Sequence, residues 1–305
     1  MRVVCKSLFF LVVIVGIFLS FGKSLDATDH TVPVVDTINT AIASGGSDQS
    51  SVNLVEDTTI TLYIHGSASD ADGCSDINTA SNWINVIYRT NHASVESCTA
   101  DNNDCYQTNE AADLALTSCS GTTLNYQQTD TIVYHADPTD TGAPQASTDW
   151  TASIQARDNS GDASALKKDT FEINSLFSLN VTSSINYGTI ALGGDSAQQT
   201  ITFTNTGNRA IDADQTSTSE LTCNGPGSAG IAIGNVRLSF TGGFTYGTGD
   251  QALTASASNM ALNLAQQTVD ATTETKNAYL ILRVPTLGIS GTCSNSVTFT
   301  AKADT

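Results

Sequence analysis

The stretch Ile185–Asn208, INYGTIALGGDSAQQTITFTNTGN, decides the fold. Ile201 and Phe203 alternate with threonines there, so one face of the segment is apolar and the other polar. Period-two alternation is the pattern of a half-buried strand. Glycines fall before this run, in LGGD, and after it, in NTGN. Glycine supplies the positive φ that tight connections between strands demand. The stretch carries no reactive cluster, and it reads as one strand of an antiparallel sandwich together with its turns.

The same rhythm recurs on both sides. Downstream it is carried by Val236, Leu238 and Phe240, by Leu280, Leu282 and Val284, and by Val297 and Phe299. Upstream it is carried by Ile60, Leu62 and Ile64, by Ile84, Val86 and Tyr88, by Ile132, Tyr134 and Ala136, and by Trp150, Ala152, Ile154 and Ala156. The one stretch with helical character is Thr108–Ser118, TNEAADLALTS, expected as one or two turns. A chain of 305 residues accommodates about two domains of ordinary size. The expected fold is all-β, with antiparallel sandwiches over residues 53–174 and 175–305 and a seam near DTFEINSLFSLNVTSS, Asp169–Ser184. Residues 25–52 mix Thr, Ser and Gly with little alternation and are expected to be a poorly ordered lead-in.

The amino terminus places Arg2 and Lys6 before an apolar run from about Leu8 to Phe21, followed by small residues. This is the layout of an export signal over residues 1–24, with an uncleaved anchor helix as the alternative. Both readings put the rest of the chain outside the cytoplasm. Cysteine usage agrees. Beyond Cys5 there are Cys74, Cys98, Cys105 and Cys119 before the seam and Cys223 and Cys293 after it, even numbers that predict disulfides within each half. Four cysteines allow three pairings, of which Cys98 to Cys105 with Cys74 to Cys119 is favoured; the last two have only each other. No Cys-x-x-Cys pair supports a thiolate metal site. Twelve Lys and Arg against 30 Asp and Glu give a net charge of −18, which repels nucleic acid and anionic lipid heads.

Few residues offer chemistry. His30, His65, His92 and His135 lie in separate segments without metal-binding spacing. No nucleophile elbow, phosphate loop or dinucleotide fingerprint occurs. The sharper signal is SASDADGCSD, in which Asp70, Asp72 and Asp76 surround Gly73. Oxygen ligands spaced this way converge on a hard cation such as Ca²⁺, and Asp137 and Asp140 of ADPTD are candidate further ligands. DNND, Asp101–Asp104, and ARDNSGD, with Asp158 and Asp162, add acidic groups; two such loops gathered at one end of a sandwich would make a structural site. Turn stabilisation by short Asp and Asn side chains is the plainer reading of each. Trp83 and Trp150 sit in strand patterns and are expected as core anchors, with an exposed sugar-stacking platform as the alternative. Asn180-Val181-Thr182 is a glycosylation acceptor sequence.

Tyr187-Gly188, Gly193 to Ser196 and Asn205-Thr206-Gly207 make the second half resemble the immunoglobulin-like domains of Hydin-like and choice-of-anchor surface proteins. The closing LRVPTLGISGTCSNSVTFTA, with Pro285 and Gly291 at its turn, resembles the last strand pair of such domains. VEDTTITLYI, SDADG and WTASIQARDNSG make the first half similar to prokaryotic immunoglobulin-like repeats. The resemblance implies two immunoglobulin-like sandwiches with structural, adhesive or envelope roles. The expected function is therefore a non-catalytic extracellular or cell-surface component of a layer, appendage or adhesive array. Other envelope or filament subunits, or further copies of itself, are its expected partners; membrane contact arises only through an uncleaved leader. The alternative is an extracellular binding module for a glycan or polymer, stabilised by Ca²⁺, and a hydrolase with dispersed carboxylates is the third reading.

Overall fold

Upstream of the seam, the alternating runs pair into two sheets. The computed structural model describes residues 30–77, 83–90, 98–107 and 114–304. The strands of the first half are β1 (Val34–Ala41), β2 (Ser51–Val52), β3 (Thr59–Ser69), β4 (Ile84–Arg89), β5 (Cys105–Gln107), β6 (Leu114–Ser120), β7 (Thr123–Val133), β8 (Trp150–Gln155) and β9 (Lys167–Ile173). One sheet has the order β1-β3-β7-β6 and the other β2-β9-β8-β4-β5. All neighbours are antiparallel except β2, which runs parallel to β9. Leu124, Tyr126 and Ile132 of β7 face inward, opposite Trp150 and Ile154 of β8 in the same core. Trp150 is fully buried because β8 sits centrally, covered on both faces.

Two expectations are corrected here. Residues 34–41 are not a disordered lead-in: they form edge strand β1, paired with β3. A register shift between Val35 and Thr37 inserts one residue, so the inward apolar positions are Val35 and Ile38, three apart. A bulge of this kind erases the period of two on which a strand is recognised. Leu114–Ser118, expected within a short helix, belongs to strand β6, which pairs with β7. The pairing requirement of β7 overrides the local preference of its Ala and Leu residues. The remainder of that expected helix, 108–113, lies outside the described residues, as does the leader over 1–24.

The second half contains β10 (Leu179–Val181), β11 (Gln199–Asn205), β12 (Ile211–Ser217), β13 (Glu220–Cys223), β14 (Ile231–Ala232), β15 (Val236–Ser239), β16 (Gln251–Ala252), β17 (Ser258–Asn259), β18 (Thr275–Leu282), β19 (Cys293–Ser294) and β20 (Val297–Ala303). They form sheets of order β10-β11-β18-β15-β16, β17-β12-β20 and β14-β13-β19. Ile201 and Phe203 of β11 point into a core with Ile211, Leu262 and Leu280. The fold is thus an all-β sandwich architecture built on two separate hydrophobic cores. The chain passes from one to the other between Leu176, packed on the first core, and Leu179, packed on the second. From Thr31 onward the chain is nevertheless a single compact unit. Among the described residues no helix is long and apolar enough to cross a membrane.

Candidate functional site

Strand β3 ends at Ser69, and the turn that follows carries the acidic motif. Gly73, at φ 113°, lets the chain reverse. Asp70 N–H donates to the Thr122 carbonyl at 2.9 Å and Cys74 N–H to that of Gly121 at 3.0 Å, so the turn is docked beside the start of β7. A disulfide from Cys74 to Cys119 fixes it to β6. Within the turn, Asp72 N–H donates to Asp70 Oδ1 at 2.8 Å. Thr31, leading into β1, donates its N–H to Asp72 Oδ2 at 2.8 Å and its hydroxyl to Asp70 Oδ1 at 3.0 Å. A carboxylate oxygen from each of Asp70, Asp72 and Asp76 lies within 4.8 Å of the others.

The loop after β8 joins this cluster. Asn159 N–H donates to the Asp76 carbonyl at 2.9 Å, and Asn159 Nδ2 to that of Ser75 at 3.3 Å. The contact brings a carboxylate oxygen of Asp158 within 4.8 Å of one from Asp76. Asp158 is completely buried, and its Oδ1 accepts Ser160 N–H at 2.9 Å, the Ser160 hydroxyl at 2.7 Å and Asp162 N–H at 2.8 Å. Burial pushes the Asp158 pKa up, but these donors outweigh it and hold the carboxyl below its ordinary value. Four carboxylates from two loops are therefore gathered at one end of the first sandwich.

Asp137 and Asp140, expected as further ligands, are engaged elsewhere. Asp137 follows the far end of β7, an eleven-residue strand, which at the usual rise spans about 35 Å. It pairs with Arg89 at 3.0 Å and accepts from Gln266 Nε2 at 2.9 Å. Burial raises its pKa, and the Arg89 guanidinium opposes that rise. Asp140 Oδ1 accepts the Ser175 hydroxyl at 2.6 Å. Arg89 also reaches Asp104 at 3.3 Å, so the acidic DNND segment belongs to this second centre. Sequence reasoning missed Arg89, because a lone cation in a strand carries no local sign that two loops will close over it.

This second centre is the junction between the halves. Asn103 Nδ2 donates to the carbonyls of His135, at 2.9 Å, and Gln267, at 3.0 Å. The Tyr134 hydroxyl donates to Gln267 Oε1 at 2.5 Å. The NTGN turn grips the link itself: Asn208 Oδ1 accepts Leu176 N–H at 2.6 Å, while Asn208 Nδ2 donates to the carbonyls of Ala136 and Asn174, both at 3.1 Å. Gly207 is required beside it, since a Cβ there would stand 2.1 Å from the Leu176 carbonyl oxygen. His135 is buried among these groups with Asp270 Oδ1 3.4 Å from its Nε2. Burial lowers its pKa, partly countered by Asp270 and Asp101.

The remaining candidates are structural. Trp150 donates its indole N–H to the Asp137 carbonyl at 2.8 Å and has no exposed surface, which removes the sugar-stacking alternative for it. Trp83 packs edge-on against Tyr126 with centroids 5.5 Å apart. His65 Nε2 lies 3.0 Å from the Gly46 carbonyl, and His92 falls outside the described residues. Cys98 joins Cys105, and Cys223 joins Cys293, its direct cross-strand neighbour between β13 and β19.

No protein-family model matches the chain, and no curated protein is similar to it. Among solved structures it is similar to a chain of a chaperone–tip adhesin complex of CFA/I fimbriae biogenesis, at 9% identity over 90% of this chain and 85% of that one, with a TM-score of 0.32. It is also similar to the structure named BspA_C_WT, at 10% identity over 88% and 96% with a TM-score of 0.20. Titin domains Z1Z2 in complex with telethonin match at 12% identity over 90% and 99%, with a TM-score of 0.22. Likenesses this distant carry no argument about this chain's role.

Proposed function

We propose that this protein is a non-catalytic structural component of an extracellular or cell-surface assembly, in which two immunoglobulin-like sandwiches act as one stiff segment. The observation that carries the reading is the junction, where side-chain amides of Asn103 and Asn208, both buried, bond backbone carbonyls on either side of the seam. Each bond exchanged across the link is lost if the halves rotate, so the pair resists bending. Three intramolecular disulfides support residence in an oxidising compartment. Edge strands β6 and β20, of seven residues each, offer unpaired backbone to a neighbouring subunit.

The test is protease treatment of intact source cells, with released peptides identified by mass spectrometry before and after lysis. Release of peptides from this chain without lysis, with its cysteines oxidised, is the expected result. Recovery only after lysis, with free thiols, overturns the proposal.

A further inference from the structure

We infer that Asp70, Asp72, Asp76 and Asp158 form a Ca²⁺ site that ties the loop after β8 to the turn after β3. The proximity of the first three, and of Asp76 to Asp158, supplies the donors. Proximity of acidic groups alone is common, and an independent observation at Asp70 points to a ligand. This residue is 2% exposed, and while its Oδ1 accepts from Thr31 and Asp72, its Oδ2 is buried without any hydrogen-bond partner. A buried carboxylate oxygen left this way is costly, and a cation seated among the four side chains removes that cost.

The donor chemistry selects the ion. The four carboxylates are hard oxygen donors, which favour Ca²⁺ or Mg²⁺ over transition metals. They come from two loops of unrelated geometry, one reversing at Gly73 and the other held by Ser160 and Asp162 on Asp158. Ca²⁺ accepts six to eight oxygens in irregular arrangements, whereas Mg²⁺ requires near-ideal octahedra and keeps its waters. The turn is already fixed to β6 through Cys74 and Cys119 and holds Thr31 at the start of β1. The ion therefore links the turn after β3, and through it β6 and the lead-in to β1, with the 158–162 loop. This proposal stands independently of where the protein resides.

Calcium titration of the full chain, stripped with EDTA, decides it by calorimetry and native mass spectrometry. One Ca²⁺ per chain is expected, half-saturating between about 10 μM and 1 mM. Hydrogen exchange should slow in residues 70–76 and 158–162 when Ca²⁺ is added. Asp70→Asn keeps the side-chain volume and its Oδ1 acceptor, and should weaken binding at least about tenfold, a difference of roughly 1.4 kcal/mol. Asp76→Asn, at a half-exposed position, should do the same and guards against misfolding of the first variant. Asp140→Asn should bind like the parent. Absence of binding at about 10 mM Ca²⁺, beyond the range of extracellular modules, overturns the site. So does parental affinity in both cluster variants, and equal affinity for Mg²⁺ overturns the assignment of the ion.

Discussion

Asn208, in the turn after β11, donates its side-chain amide to the carbonyl of Asn174, in the link between the two cores, at 3.1 Å. Its second donor takes the Ala136 carbonyl, and its oxygen takes Leu176 N–H. The residue has no exposed surface, so all three partners depend on it. Asn208→Ala should destabilise the protein by about 2–3 kcal/mol, through buried groups left unpaired. Asn208→Asp keeps the acceptor but turns a carboxylate toward two carbonyls, so it should be at least as damaging at neutral pH and recover partly in acid. Urea denaturation at two pH values measures both, and small-angle scattering should show a broader distribution of shapes for the alanine variant.

Gly207 illustrates a steric requirement separate from backbone strain. Its φ is not positive, yet an added Cβ would meet the Leu176 carbonyl oxygen at 2.1 Å and Ser178 N at 2.9 Å, both backbone atoms. Gly207→Ala should therefore cost at least the upper end of the about 1–3 kcal/mol typical of overpacking. Gly142 has positive φ and open space around it, so Gly142→Ala should cost only about 1 kcal/mol. Paired thermal melts give the contrast, and equal losses would contradict the junction geometry.

Trp150 packs between Tyr106 and Phe171, with ring centroids at 5.8 and 6.4 Å. Trp150→Ala should lose about 3–5 kcal/mol, and Trp150→Phe less, although it orphans the Asp137 carbonyl. Any glycan binding by the folded protein should be the same in parent and Trp150→Phe, because the indole is not accessible. Differential binding on a glycan array, at matched folding, would refute the burial.

Much of this architecture was legible, for identifiable reasons. Ile201 and Phe203, or Leu62 and Ile64, alternate because their strands have one buried face, and period two survives in sequence wherever pairing is regular. Val35 and Ile38 hid β1 because the bulge spaces them by three. Leu114 and Leu116 hid β6 because Ala and Leu suit a helix locally, and only β7 requires a strand there. In the acidic motif, the local triple of Asp70, Asp72 and Asp76 was readable from its spacing. The contribution of Asp158 depends on how β8 brings its following loop beside β3, and the capture of Asp137 depends on Arg89, 48 positions away (137 − 89). Neither long-range relationship leaves a pattern in the sequence.

The three disulfides should differ in what they contribute. Cys98–Cys105 spans 7 positions, Cys74–Cys119 spans 45 and Cys223–Cys293 spans 70. On the chain-entropy account these correspond to about 2, 4 and 4 kcal/mol. Double replacement of Cys223 and Cys293 by alanine should thus lower the urea midpoint far more than replacement of Cys98 and Cys105. A reversed order would show that the bonds act chiefly through the folded state.

His135 and Asp137 give the junction opposing responses to pH. His135 is buried and its pKa is lowered, so the folded state binds its proton less readily than the unfolded state. Its contribution is intact above the unfolded pKa of about 6.5 and is lost as pH falls through the folded value. Asp137 has a raised pKa, so its contribution is complete below the unfolded value of 3.8 and declines as pH rises through the folded one. Below the ordinary histidine value of about 6.5 the His135 term lowers stability on acidification, and the Asp137 term opposes it. His135→Gln, which cannot titrate, should flatten that part of the profile, whereas Asp137→Asn should steepen the net rise from acid to neutral pH. Urea midpoints taken across this range separate the two residues, and a profile unchanged by His135→Gln would remove the histidine from the account.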